Sequence, residues 1–88
     1  MFRMWCKIFG GNHLIKDTVI EDASSETRTH KVFNALTEAS YRFEIEKPIW
    51  LDVTVSDFKK FGKARFTCDC FIEEIDFDYL EIEIIEED

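Results

Sequence analysis

The sequence predicts an α+β domain: a mostly antiparallel sheet of four to five strands, with one long helix, about residues 25–44, packed on one face. Three observations carry that reading. The stretch Ser24 to Phe43 contains no Gly or Pro, and Val32, Phe33, Leu36, Ala39, Ser40 and Phe43 recur at three- and four-residue steps, so they share one side of a helix. Most of the rest alternates with the period of two that belongs to half-buried strands. Gly10-Gly11-Asn12 separates two such strands with three residues that all tolerate positive φ. The predicted order is β-β-α-β-(short α)-β-β, in a single domain over residues 1–88.

Met4 to Phe9 reads as the first strand, with Met4, Cys6 and Ile8 on one face and Trp5, Lys7 and Phe9 on the other. Leu14 to Glu21 returns as the second strand of a hairpin. Its alternation breaks at Leu14-Ile15 and at Val19-Ile20, which allows a bulge or a change of face. Asp22 to Ser25 is a loop. Ser24 or Ser25 can cap the helix, with Glu26 near its positive end and Arg42 near the other. The helix should end by about Glu46, because Pro48 disfavours helical backbone at Lys47. Ile49 to Val53 alternates as a third strand, with Ile49, Leu51 and Val53 opposed to Trp50 and Asp52. Ser56 or Asp57 opens a short helix through Phe61, closed by Gly62. Ala64 to Thr67 is extended. Cys68 to Ile75 supports two readings: a strand sets Phe66, Cys68 and Cys70 on one side, and a helical turn groups Phe71, Ile72 and Ile75; the favoured assignment is a short extended piece and then an irregular or helical turn. Phe77 to Glu86 is a strand with Leu80, Ile82 and Ile84 facing one way and Tyr79, Glu81, Glu83 and Ile85 the other, one face dry and one wet.

Composition narrows the function classes. Hydrophobic residues make up 45% and aromatics 15%, enough for a small core and too many for a disordered chain. A chain of this length buries about 60–65% of its unfolded surface, so self-association would stabilise it appreciably. Three cysteines cannot all pair within one chain, and so sparse a set suits a reducing cytoplasm. No apolar run reaches the roughly 18–20 residues of a membrane span, and the first residues are not a signal peptide. The net charge of −8 is uneven: residues 69–88 hold ten acids and no base, whereas residues 1–68 hold nine acids and eleven bases.

No catalytic constellation emerges. Cys6 with His13 or His30 offers a thiol and a base, but no local signature joins them. The carboxylates of Glu81, Glu83 and Glu86-Glu87-Asp88 alternate with apolar residues or lie at the terminus, the pattern of a wet strand face and a solubilising tail. Gly10-Gly11 lacks the further glycines of a phosphate-binding loop. The expectation is a non-enzymatic protein without a cofactor. Cys68 and Cys70, joined by Cys6, could grip a soft metal if they shared a strand face, but structural zinc sites usually show two spaced ligand pairs, and buried cysteine ordinarily behaves as a small apolar residue.

Two stretches point to binding. Phe58-Lys59-Lys60-Phe61-Gly62-Lys63-Ala64-Arg65-Phe66 interleaves four bases with three Phe, which suits phosphate contacts and base stacking on a single-stranded nucleic acid. Its plainer reading makes the Phe residues core anchors and the bases a solvated rim drawn to the acidic last strand. Trp5 and Trp50 oppose their apolar neighbours on their predicted strands, as does Tyr79. On a sheet covered from one side these three would form a contact surface. The alternative buries them where the sheet bends.

Met4-Trp5-Cys6-Lys7-Ile8, Leu14 to Asp22, Thr27-Arg28-Thr29-His30-Lys31, Pro48-Ile49-Trp50-Leu51 and Ile75 to Glu81 together resemble a family of small uncharacterised proteins from clostridia and related anaerobic bacteria. The resemblance covers nearly the whole chain from Met4. It implies a bacterial cytoplasmic protein that begins near Met4, and it carries over no functional residue. The reading that results is a protein that binds a protein partner or itself, as a homodimer, through an exposed sheet face bearing Trp5, Trp50 and Tyr79. Nucleic-acid binding through residues 58–66 is the alternative, and a cysteine-based metal or redox site is the third. No contact with a membrane is expected.

Overall fold

A computed structural model describes residues 1–87. Four strands form one antiparallel sheet in the order β2-β1-β4-β3, and two helices lie against one face of it. The strands are β1 (Phe2–Gly10), β2 (His13–Asp22), β3 (Lys63–Phe66) and β4 (Tyr79–Glu86), and the helices are α1 (Arg28–Phe43) and α2 (Asp52–Phe61). The domain is α+β as its patterning implies, but the chain runs β-β-α-α-β-β, with a short 3₁₀ turn at Cys68–Cys70.

The β1–β2 hairpin closes on Gly11 and Asn12, both at positive φ (57° and 65°), the combination whose twist matches the flanking strands. The break in alternation at Leu14-Ile15 is a bulge: Ile8 pairs with Lys16 and Phe9 with Leu14, leaving Ile15 over. The side chain of Ile15 then folds across Gly10, where an added Cβ would sit 2.5 Å from its Cδ1, so any larger residue has to push the end of that side chain aside. A second irregularity between Arg3 and Met4 leaves Ile85 over on β4.

The helix starts three residues later than its sequence suggests. Ser24 is engaged in a local turn, its N–H donating to Asp22 Oδ1 and its Oγ accepting from Glu26 N–H. The Ser24 hydroxyl, with its backbone N–H, holds the Asp22 carboxyl below its usual range. Thr27 is the cap, its Oγ1 accepting from His30 N–H at 3.3 Å. Val32, Ala35, Leu36, Ala39 and Phe43 are buried against β1 and β2, whereas Phe33 stays 47% exposed. The helix closes at Glu44, a left-handed residue whose N–H returns to the last turn.

The expected strand Ile49–Val53 does not form. Residues 45–50 are irregular and α2 begins at Asp52, running through the predicted Ser56 start to Gly62, its left-handed cap. Helical spacing places Thr54 and Phe58 inward together, and Asp52 lies in the first turn with Lys59 and Lys60 in the last, which favours the helix at both ends. The segment before it is shaped by Trp50, which packs edge-on against Phe33, Phe58 and Phe66 at 6.1, 5.6 and 5.0 Å between ring centroids. Only Ile49 N–H, bonded to the carbonyl of Cys70, resembles a strand contact.

The core lies between the helices and the covered sheet face, where Phe2, Met4, Cys6 and Ile8 of β1 meet Leu80 and Ile82 of β4 and Ala64 and Phe66 of β3. β4 begins at Tyr79 rather than Phe77, whose ring instead packs edge-on to Phe71.

The thiols divide sharply. Cys6 and Cys70 are buried and Cys68 is exposed. Burial pushes the Cys6 thiol up to about 12, from an ordinary value near 9. One cysteine of the three should therefore react promptly with a thiol reagent in the native protein, and all three after unfolding. More than one fast equivalent would mean that the core opens readily. Because the folded state holds this thiol protonated, its contribution to stability is complete below pH 9 and is lost as pH climbs toward 12.

Candidate functional site

The face turned away from the helices is built by strand alternation and by register. β1 contributes Arg3, Trp5, Lys7 and Phe9. Opposite them stand Glu21, Val19, Asp17 and Leu14 on β2, and Glu83, Glu81 and Tyr79 on β4. Lys63 and Arg65 of β3 complete it, facing Glu83 and Glu81. No element covers this face among the described residues, yet Lys7 is only 7% exposed and Glu81 only 4%.

Their neighbours hide them. Lys7 Nζ lies 3.5 Å from Glu81 Oε1, 3.0 Å from Glu83 Oε1 and 3.9 Å above the centre of the Trp5 ring. Glu81 meets two further cations, Lys63 at 3.8 Å and Arg65 at 3.5 Å. Trp5 Nε1 donates to Asp17 Oδ2 at 2.9 Å, which fixes the indole across the strands. Phe9 and Tyr79 stack at 5.1 Å, and the Arg65 guanidinium lies 4.7 Å from the Tyr79 ring. The acidic last strand thus pairs with the basic segment inside one molecule. Arg28 repeats the theme at the end of the chain, 2.7 Å from Glu87.

One transverse row stands out. Asp17, Lys7, Glu81 and Arg65 are successive cross-strand partners on β2, β1, β4 and β3, so charge alternates in sign across the whole sheet. Val19 at 39% and Leu14 at 46% exposure flank the row with apolar surface, beside the half-buried Trp5, Phe9 and Tyr79. The flank on β2 is acidic at Asp17 and Glu21, and the flank on β3 is basic at Lys63 and Arg65.

Trp5 and Tyr79 share this face, but Trp50 does not join them. It lies on the opposite side of the sheet, half-buried between the helices and the inward ring of Phe66. Residues 58–66 are likewise divided. Phe58 and Phe66 are buried, Phe61 is 65% exposed, Lys59 and Lys60 sit on α2, and Lys63 and Arg65 sit on the open face. Cys6 lies in the core, Cys70 contacts Thr54 across 3.9 Å, and Cys68 points outward from the 3₁₀ turn, so the three do not share a strand face. Among the described residues no group of three or more His, Cys, Asp or Glu is placed to hold a metal ion. His30 pairs with Glu26 at 3.1 Å, and His13 closes the hairpin opposite Gly10. No helix among the described residues is long and apolar enough to cross a membrane.

Sequence reasoning missed Asp17, Lys7, Glu81 and Arg65 as a unit. Alternation announces which way each points, but their alignment depends on three registers and a strand order that no local signal carries. Comparison with protein-family models, with curated proteins and with solved structures finds no match.

Proposed function

We propose that this is a non-enzymatic protein that acts by protein–protein contact through its open sheet face, and that its first partner is a second copy of itself. The observation that carries the reading is the alternating row. A copy turned by a half-rotation about the strand direction presents Arg65, Glu81, Lys7 and Asp17 to Asp17, Lys7, Glu81 and Arg65. The exposed ends of the row, Asp17 and Arg65, then meet their opposites, and the covered Lys7 and Glu81 lie over each other with complementary sign, which satisfies the self-complementarity a two-fold interface demands. The same rotation lays the basic flank of each copy over the acidic flank of the other.

Desolvation favours this face as well. Covering a charge ordinarily costs several kcal/mol, but Lys7 and Glu81 are dehydrated and paired before any partner arrives. The half-exposed Arg3, Glu21, Lys63 and Arg65 would form the polar rim, and Trp5, Val19 and Tyr79 the anchors. Strands spaced about 4.8 Å apart, three of them about 30 Å long and β3 less than half that, offer each copy roughly 500 Å². That totals about 1,000 Å², below the standard size of stable complexes and in the range of weak, transient contacts, so a weak dimer is expected. A cytoplasmic setting belongs to the same proposal and is supported by three cysteines that remain unpaired.

The test is molecular mass by light scattering across a dilution series. The parent should move from dimer to monomer on dilution. Trp5→Ala should weaken the dimer about 30-fold, as loss of an aromatic hot spot does. Val19→Lys, at an exposed position between Asp17 and Glu21 on the same face of β2, keeps the fold and should give monomer throughout. A parent that stays monomeric at every concentration would end the reading. The nucleic-acid alternative has less support, since Phe61 is the one exposed ring of its three and its bases face two ways.

A further inference from the structure

On the other side of the sheet, a cleft of about 250 Å³ opens between α1 and α2. Trp50, Val32, Val55 and Phe58 line it, and Phe33 forms an exposed wall. Arg28 and Lys59 stand at its edge and are its charged lining groups among the described residues. We infer that this cleft is a second docking site, taking an acidic peptide segment of another protein that inserts one large apolar side chain.

Size decides between kinds of ligand. Pockets that enclose a whole drug-sized molecule start at about 300 Å³. This one falls below that range and has the dimensions of an anchor pocket, in which one buried side chain supplies most of the affinity. Its walls are three aromatic rings set edge-on, Phe33 and Phe58 against Trp50. They are packed on their inner sides, so a guest does not have to order them first.

Charge decides between kinds of segment. Both charged groups at the mouth are cations, and one of them already holds a carboxylate. Arg28, stacked 5.7 Å over the Phe58 ring, binds Glu87 from the acidic end of the chain at 2.7 Å. Glu87 acts as an internal stand-in: an extended acidic stretch brings a carboxylate to the rim of an apolar cleft. That pair is solvent-exposed on both sides, and exposed pairs are weak enough to be displaced. A guest carboxylate can take the place of Glu87 on Arg28 while a second reaches Lys59. A basic segment meets Lys59 as a like charge at the entrance, and a neutral one gains no charge-assisted bond there.

The site is independent of the open face, and its test keeps the two apart. A displayed library of random short peptides is selected on the full-length protein. The recovered pool should be rich in Asp and Glu around a single Leu, Phe or Trp. A synthetic copy of the commonest sequence should bind saturably and weaken as salt rises. Lys59→Glu and Phe33→Ala, both exposed positions, should each weaken it about tenfold or more, a loss of about 1.4 kcal/mol. Trp5→Ala should leave it unchanged. A pool without acidic enrichment, a peptide indifferent to both cleft variants, or a selection that yields nothing would overturn the inference. So would binding lost with Trp5→Ala and kept with Phe33→Ala, since that places the peptide on the sheet face.

Discussion

Phe66→Ala should cost about 3–5 kcal/mol of folding stability, the range for removing a fully enclosed aromatic side chain. A domain of 88 residues has about 4–13 kcal/mol to lose, so this substitution removes between about a quarter of the stability and all of it. Phe66 is 0% exposed and meets Trp50 edge-on at 5.0 Å. It also holds an edge of the sheet. β3 has four residues, of which Ala64 and Phe66 alone point inward, so little else fixes that strand to the core. Phe61→Ala, five residues earlier and 65% exposed, should stay within about 0.5 kcal/mol of the parent. Urea unfolding of the three proteins with a shared slope decides the matter. Equal midpoints for the two variants would show that the aromatic cluster around Trp50 is not what secures β3.

The same cluster explains where sequence patterning succeeds and where it stops. The hairpin is legible because Gly11 and Asn12 carry a conformational requirement in themselves, and α1 is legible because Val32, Leu36, Ala39 and Phe43 repeat with one period. β4 is legible for the same reason, with Leu80 and Ile82 wholly buried as alternation demands. Ile49 to Val53 also alternates, yet Asp52 and Val53 are helical. Period two was satisfied there by chance over five residues. Asp52 in a first turn and the inward pair Thr54 and Phe58 were the competing signal, and the enclosure of Trp50 by three rings from other elements settled it. The open face was half legible. Trp5 and Tyr79 point outward by alternation, but Trp50 owes its place to tertiary packing, and Asp17, Lys7, Glu81 and Arg65 align only because β4 lies between β1 and β3. Register is a long-range property, and no window of sequence contains it.

That row also yields the second large effect. Glu81→Leu should destabilise the protein by about 2–4 kcal/mol, and Lys7→Met by about 1–2 kcal/mol. The asymmetry follows from what each leaves behind. Without Glu81, the buried Lys7 keeps one carboxylate, Glu83 at 3.0 Å, while Lys63 and Arg65 also lose their shared partner. Without Lys7, Glu81 still has two cations within reach, and both are about half-exposed, so they can follow it at little cost. The double variant Lys7→Met with Glu81→Leu removes both charges from a site that is already closed to water. Apolar pairs of similar size often match or exceed a buried ion pair, so it should return to within about 1 kcal/mol of the parent. The four proteins form a double-mutant cycle whose coupling should be at least about 2 kcal/mol. Additive losses would mean that Lys7 and Glu81 are held independently, each by its own neighbours. The charge row would then be a series of local pairs rather than one energetic unit spanning the sheet, although its order of signs would stand.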